Sequence, residues 1–254
     1  MLTQQTLERL NEMRLKGMAE AFASQIEQPD IRELSFEERL GLLVDQEWIY
    51  RQDRRLTRLL RQAKLRIPAC IEDIDYHHPR GLDRALLQSL AQCHWIRSHQ
   101  SILITGPTGC GKTYIACALA NAACRRGFKA RYYRLARFMA DLAMAKGDGT
   151  HPKLLQKLAK TDVLILDDWG LAPLTETESR ELLEVIDDRV GSRSTIIASQ
   201  LPIAEWHGTM SDPSAADAIL DRLVHGAYKI ALRGESMRKV QAEETRPGRP
   251  TTDT

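Results

Sequence analysis

Apolar residues recur at helical spacing along the first seventy residues. A first segment ends at Gln28-Pro29, and its spaced apolar positions are Leu7, Leu10, Met18 and Phe22. Ser35-Phe-Glu-Glu38 forms a capping box that opens a second helix, which we expect to end at Pro68. Its apolar stripe comprises Leu40, Leu43, Val44, Leu56, Leu59, Leu60 and Ala63. The pattern predicts a small all-helical N-terminal domain over residues 1–70.

From Ser101 onward, short apolar runs alternate with helical segments. The predicted strands are Ser101–Thr105, Ala130–Tyr133, Val163–Leu166, Thr195–Ser199 and Tyr228–Leu232. The predicted helices are Leu82–Trp95, Tyr114–Arg126, Thr175–Val190 and Ala215–Ala227. This alternation favours an α/β fold, a parallel sheet flanked by helices, over residues 71–240. Residues 241–254 are polar with two prolines, and we expect a disordered tail there.

Composition narrows the class of protein. The chain has 254 residues, a formal net charge of +2 and 43% hydrophobic residues, which suits one α/β core with a small appendage. It contains no run of about 18 apolar residues and begins without a signal-peptide pattern, so we expect no membrane association. Five cysteines without a C-x-x-C pair favour a reducing setting, the cytoplasm.

The chemistry is indicated first by Gly106–Thr113, which reads G-P-T-G-C-G-K-T and fits the phosphate-binding loop G-x-x-x-x-G-K-[ST]. A predicted strand precedes it and a predicted helix follows it, as the backbone cradle for phosphate requires. We expect Lys112 to reach the phosphates and Thr113 to hold Mg²⁺. The residues predicted to bind ATP are Gly106, Pro107, Thr108, Gly109, Cys110, Gly111, Lys112, Thr113, Tyr114 and Arg238.

A pair of acids completes the predicted site. Val163–Leu166 is a continuous apolar run, typical of a strand covered on both faces, and Asp167 and Asp168 follow it directly. In a phosphate-loop fold, an acid at this place meets the magnesium shell. We therefore predict Asp167 as a Mg²⁺ partner and Asp168 as the group that polarises the attacking water.

Basic residues crowd the end of the second helix. Steps of three and four place several of them on or near one face, which is the electrostatic footprint of a nucleic-acid binder. A solvated helix face and a docking face for an acidic partner are the alternatives. The candidate DNA-binding residues are Arg51, Arg54, Arg55, Arg58, Arg61 and Lys64.

Arg222 and Arg238 lie further along the chain. Hydrolysis of a γ-phosphate gains from an arginine that is often supplied by another subunit. Asp221 adjoins Arg222, and spacing alone favours a surface ion pair for it.

The order of these motifs resembles the AAA+ ATPases, and specifically the IstB-type transposition helper ATPases, which are related to DnaC-type helicase loaders. The similarity runs from about Leu7 to about Val240. The segments that carry it are Arg58–Tyr76, Gly106–Thr113, Leu164–Gly170, Ser194–Pro202, Ile219–Leu223 and Gly234–Arg238.

The resemblance implies a role for each matching residue. Lys112 and Thr113 match Walker A, while Asp167 and Asp168 match Walker B, although most AAA+ proteins carry Glu where this chain has Asp168. Ser199 or Gln200 ends the sensor 1 strand. Arg222 matches the arginine finger and Arg238 the sensor 2 position. The implied catalytic residues are Lys112, Asp168, Arg222, Ser199 and Gln200.

The resemblance further implies an ATPase that forms homo-oligomers with ATP on double-stranded DNA and assists a transposase in target selection and strand transfer. A helicase loader would share every core motif and differ in its partner. A phosphate-loop kinase would need an acceptor pocket, for which the sequence offers no candidate. A DNA-binding scaffold could use ATP only structurally.

Overall fold

The computed structural model describes residues 2–237, apart from the side chains at positions 2 and 32. The described residues divide into two compact units, the first ending at Arg58 and the second beginning at Leu59. The predicted tail, residues 241–254, lies outside the described residues. Within them, no helix is both long and apolar enough to cross a bilayer.

The first unit is helical. Its helices are α1 (Leu2–Glu12), α2 (Lys16–Glu27), a 3₁₀ turn (Pro29–Glu33) and the first part of α3 (Phe36–Ala63). The capping box forms, because the Glu38 amide donates to Ser35 Oγ at 3.2 Å and Ser35 N–H donates to Glu38 Oε2 at 2.8 Å. Gly17 allows α2 to approach α3 closely, since a Cβ there would lie 2.7 Å from Cβ of Tyr50.

Two helix boundaries differ from prediction. The first segment is two helices rather than one, because Arg14 adopts a left-handed φ of 62° between α1 and α2. Helix α3 ends at Ala63 rather than at Pro68, because Lys64 adopts φ 49° and terminates it. Neither turn contains a glycine at its left-handed residue, so the sequence gives no signal that the helix ends there.

The second unit is an α/β fold. In the described part of the chain its sheet has five parallel strands in the order β2-β3-β4-β1-β5. The strands are β1 (Ile102–Thr105), β2 (Ala130–Arg134), β3 (Val163–Trp169), β4 (Ser194–Ser199) and β5 (Tyr228–Ala231). β1, β3 and β4 are almost wholly buried, which explains their unbroken apolar runs.

Helices connect and cover the strands. They are α4 (Arg84–Ala91), α5 (His94–Arg97), α6 (Lys112–Arg125), α7 (Leu135–Gly147), α8 (His151–Ala159), α9 (Glu176–Arg189) and α10 (Pro213–Val224). The segment predicted as one helix from Leu82 to Trp95 is broken at Cys93, whose φ of 61° separates α4 from α5. The core packs α7, α9 and α10 onto the sheet around Phe138, Leu182 and Ile219. Because all strands are parallel, the carboxyl ends of β1, β3 and β4 meet at one edge, and the predicted site residues follow those ends.

Candidate functional site

The loop 106–113 joins β1 to α6 at the carboxyl edge of the sheet. Its three glycines, Gly106, Gly109 and Gly111, all have positive φ, at 146°, 85° and 100°. A side chain would also lack room: a Cβ on Gly109 would lie 2.1 Å from Oγ of Ser236. The loop therefore needs glycine both for its conformation and for close approach of its neighbours.

Lys112 lies at the first position of α6 and folds back over the loop. Its Nζ donates to the carbonyl oxygens of Gly106 and Pro107, each at 2.7 Å. Burial lowers the pKa of the Lys112 ammonium below its ordinary value, against the opposing attraction of Asp167 and Asp168. A buried ammonium beside a helix N-terminus is suited to binding an anion.

Asp167 follows the apolar part of β3 and is 1% exposed. Its Oδ2 accepts a hydrogen bond from the Thr113 hydroxyl at 2.7 Å and another from the Tyr132 hydroxyl at 2.8 Å. Its Oδ1 accepts from the Asp168 amide at 2.9 Å. Burial raises the pKa of the Tyr132 phenol, so that hydroxyl stays a donor throughout the working pH range. These bonds hold the carboxylate beside the end of the loop.

Asp168 occupies a strained position. Its φ is 59°, in the left-handed region that few non-glycine residues adopt, and the β3–β4 pairing is irregular between Leu166 and Trp169. Arg134 Nε lies 3.6 Å from the Asp168 carboxylate, and Arg66 lies 3.9 Å from it and 3.8 Å from that of Asp167. Asp168 therefore has a left-handed backbone, and its carboxylate has basic neighbours, whereas the Asp167 carboxylate accepts hydrogen bonds from two hydroxyls.

Ser199 and Gln200 have different surroundings. The buried Ser199 hydroxyl donates to the Trp169 carbonyl at 2.8 Å and accepts from the Leu201 amide. The Gln200 side chain instead accepts from the Thr108 hydroxyl of the loop at 2.7 Å. Gln200 is thus the one of the two whose side chain contacts the loop.

A cleft of 580 Å³ collects these groups and is large enough for a nucleotide. The predicted residues that line it are Thr108, Gly109, Gly111, Lys112, Thr113, Tyr114, Asp167, Asp168 and Gln200. Gly106, Pro107 and Cys110 belong to the loop but do not line the cleft, and the Cys110 side chain is fully buried. Arg238 lies outside the described residues.

The donor set fits Mg²⁺ bound together with phosphate. Among the described residues, no group of three or more His, Cys, Asp or Glu side chains could hold a metal on its own. Mg²⁺ in nucleotide sites takes one or two protein oxygens and completes its shell with phosphate and water. The Thr113 hydroxyl and the Asp167 carboxylate supply such a pair.

Arg222 lies elsewhere. It forms an ion pair with Asp187 of α9, donates to the Ala218 carbonyl and lines a separate cavity of 190 Å³. Its sequence neighbour Asp221 pairs with His225 instead, at 3.3 Å. The ion pair suggested by spacing alone therefore has a different acid.

The basic stripe lies on α3 and immediately after it. Its members Arg51, Arg54, Arg55, Arg58, Arg61 and Lys64 are all exposed. Arg51 pairs with Glu47 at 2.7 Å, and the Arg54 guanidinium lies 5.8 Å from the Tyr50 ring centroid. The stripe is accessible to a ligand, but at least two of its arginines already contact side chains of α3.

The sequence-based predictions do not include several residues of the cleft and its surroundings, among them Arg66, Arg80, Tyr132 and Arg134. Arg66 lies just beyond the basic residues of α3, after the left-handed turn at Lys64, and its guanidinium lies beside the two acids. Arg134 and Asp167 are register partners across β2 and β3, as are Tyr132 and Ile165. Parallel register is not encoded locally, so no signal in the sequence could have placed Tyr132 on Asp167.

Comparison with known proteins shows the family of the chain. The family model of IstB-like ATP binding proteins matches residues 8–245. The chain belongs to this family. Its fold is that of the AAA+ ATPases, and the family's members are ATP-binding proteins of insertion sequences.

Individual relatives cover most of the chain. The insertion sequence ATP-binding protein named y4pL from Sinorhizobium fredii is 49% identical over 245 residues, covering 96% of this chain and all of the relative. The ATP-binding protein named for insertion sequence IS1162 from Pseudomonas fluorescens is 55% identical over 203 residues, covering 80% and 88%. The crystal structure of the DnaC helicase loader superposes with a TM-score of 0.57 at 17% identity, covering 65% of this chain and 96% of that one, which shows a shared fold.

Proposed function

We propose that this protein is an ATPase that assembles as a homo-oligomer with ATP on double-stranded DNA and assists a transposase in target selection and strand transfer. The observation that carries the ATPase part is the Thr113–Asp167 hydrogen bond, which ties the loop to the acid at the end of β3. Membership of a family of insertion-sequence ATP-binding proteins supports the transposition part.

The mechanism assigns a task to each group. Lys112 and the loop amides would hold the phosphates, and the Thr113 and Asp167 oxygens would hold Mg²⁺, which would screen the negative charge of the phosphate oxygens. Asp168 orients a water molecule and accepts its proton as the water attacks the γ-phosphorus. The bond to the β-phosphate oxygen breaks, giving ADP and inorganic phosphate. Gln200 contacts Thr108 of the loop.

Arg222 is proposed to complete this site from a neighbouring subunit. Its side chain is 33% exposed, and it lines a cavity other than the cleft. An arginine delivered across an interface stabilises the charge that develops on the transferred phosphoryl group. Hydrolysis then depends on assembly, and DNA that promotes assembly promotes hydrolysis.

The test is phosphate release by the purified protein with and without duplex DNA. We expect release to require Mg²⁺ and to rise with added DNA, and the transposase of the same insertion sequence to co-purify with the DNA-bound protein. Absence of DNA-stimulated phosphate release would argue for a scaffold or a kinase. Co-purification with a replicative helicase in place of the transposase would indicate a loader.

A further inference from the structure

Arg80 is buried at the edge of the cleft and is used by none of the steps above. It is 7% exposed and lies in the segment that leads into α4. Among the described residues, no carboxylate forms an ion pair with it. Its Nε is buried without a hydrogen-bond partner in the structure. A buried guanidinium is costly unless its charge and its donors are matched, and in the described part of the chain this one lacks both a counter-charge and an acceptor for its Nε.

Arg189 shows what a buried structural arginine looks like in the same protein. It is 1% exposed, and its three nitrogens donate to Leu158, Thr161 and Ser194 carbonyls and to the Thr195 hydroxyl. Burial lowers the pKa of Arg189 to about 9. Arg189 is saturated by the protein itself, whereas Arg80 is not.

The position of Arg80 relates it to the loop. Its Nη1 donates to the Cys110 carbonyl at 3.2 Å, and a Cβ on Gly111 would lie 2.7 Å from the same nitrogen. Its Nη2 donates to the Asp75 carbonyl. Lys112 binds the carbonyls at the beginning of the loop, and Arg80 binds one at its end, where α6 begins. A helix N-terminus with a fixed guanidinium beside it is a site for phosphate.

We propose that Arg80 is a second phosphate-directed cation of the cleft, which recognises the part of the phosphate chain that ADP and ATP share. Its contacts are with Cys110, Gly111 and Asp75, whereas the acids proposed to act at the γ-phosphate are contacted by Thr113, Tyr132 and Arg66. Arg80 therefore contributes to nucleotide affinity and not to the distinction between ADP and ATP. This inference rests on the proposed nucleotide site.

The experiment compares Arg80→Gln with Arg80→Lys by titration of fluorescent ADP and ATP. Gln keeps an amide donor for the Cys110 carbonyl but removes the charge, so we expect both affinities to fall about tenfold or more. Lys keeps the charge but loses the fork that spans two carbonyls, and we expect its affinities within about threefold of the original protein. Arg84→Ala removes an exposed arginine of α4 and should change neither affinity.

Two results would overturn the inference. Unchanged ADP affinity in folded Arg80→Gln would show that the charge is not recognised. An equal loss in Arg80→Gln and Arg80→Lys would show that Arg80 only braces the loop. If Arg80→Gln does not fold, Arg80→Lys decides alone, because a brace predicts a tenfold loss and a phosphate contact does not. Failure of the original protein to bind ADP would refute the proposed nucleotide site itself, and bound ADP without phosphate release would refute only hydrolysis.

Discussion

At the scale of single residues, the side chains of the cleft follow the ends of strands, and a few hydrogen bonds hold them in place. Lys112 is bonded to its own loop, Asp167 accepts three hydrogen bonds, and Asp168 occupies a strained backbone position. Because the three side chains are held differently, substitutions at them should separate binding, metal dependence and turnover.

Replacing Lys112 with Ala should weaken ATP binding by at least about tenfold, because the loop loses its ammonium on the phosphates. Titration of a fluorescent ATP analogue measures this. Lys153→Ala, at an exposed lysine of α8, is the control and should bind normally. Normal affinity in folded Lys112→Ala would remove this residue from the phosphate site.

Replacing Asp168 with Asn should leave ATP affinity largely intact while turnover falls by roughly 10²–10⁴-fold, since the amide cannot accept the water's proton. Asn tolerates the left-handed φ of this position, so the backbone should not change. The variant should also accumulate long-lived complexes with DNA if hydrolysis releases them. Turnover at the original rate would exclude Asp168 from the mechanism.

Replacing Tyr132 with Phe removes one of the two hydrogen bonds on Asp167 Oδ2 and keeps the ring. Groups that orient a metal ligand typically contribute about 10–100-fold to metal affinity. We expect a higher Mg²⁺ requirement in a titration of phosphate release, with a smaller change in the maximal rate. Tyr133→Phe, whose ring packs on Phe138, is the matched control. An unchanged Mg²⁺ requirement would leave Tyr132 as a packing residue.

At the scale of elements, the strands were far more predictable than the helix ends. The predicted bounds of β1, β3 and β4 agree with the structure to within a few residues. A strand that is buried on both faces is an unbroken apolar run, which is easily recognised in a sequence. The turns at Arg14 and Cys93 are not predicted by the sequence. A residue other than glycine adopts the left-handed conformation because of its tertiary packing, which the local sequence does not reveal. The predicted elements include neither α7 nor α8.

The part of the candidate site that follows buried strands could be predicted, and the part that depends on irregular segments could not. Thr113 and Asp167 could be paired because each follows a buried parallel strand, and such ends meet. The contacts of Tyr132, Arg66 and Arg80 depend on register and on irregular connections. A periodic pattern carries no information about either.

The basic stripe belongs to the scale of elements, because its residues lie along one helix, α3, and just after it. Replacing Arg54, Arg55 and Arg58 with Ala should weaken binding equally on unrelated duplexes and reduce the slope of log affinity against log salt by about three. The matched control replaces Lys153, Lys157 and Lys160, three exposed residues in and just after α8, which removes the same charge. Salt dependence that survives the α3 changes, or falls equally in the control, would show that the stripe does not contact phosphates.

At the scale of the whole molecule, hydrolysis is proposed to need two subunits. Arg222→Ala should still bind ATP, because it does not line the cleft, but should lose turnover. Mixing it with Lys112→Ala should restore part of the activity, since some interfaces then combine an intact cleft with an intact arginine. Phosphate release by the mixture, compared with each variant alone, is the measurement. Absence of recovery despite proven co-assembly would place Arg222 in its own subunit or leave it as the partner of Asp187.

The two hydrogen bonds from Lys112 to the Gly106 and Pro107 carbonyls make nucleotide binding an exchange reaction. The loop supplies its own substitute for the phosphate oxygens, so an arriving nucleotide displaces internal acceptors and the ammonium is never left unsolvated. The gain on binding is the difference between two sets of bonds and is correspondingly modest. The same two carbonyls can accept from Lys112 again when the product leaves. Such an exchange of hydrogen bonds would suit the cycles of assembly and release that we propose.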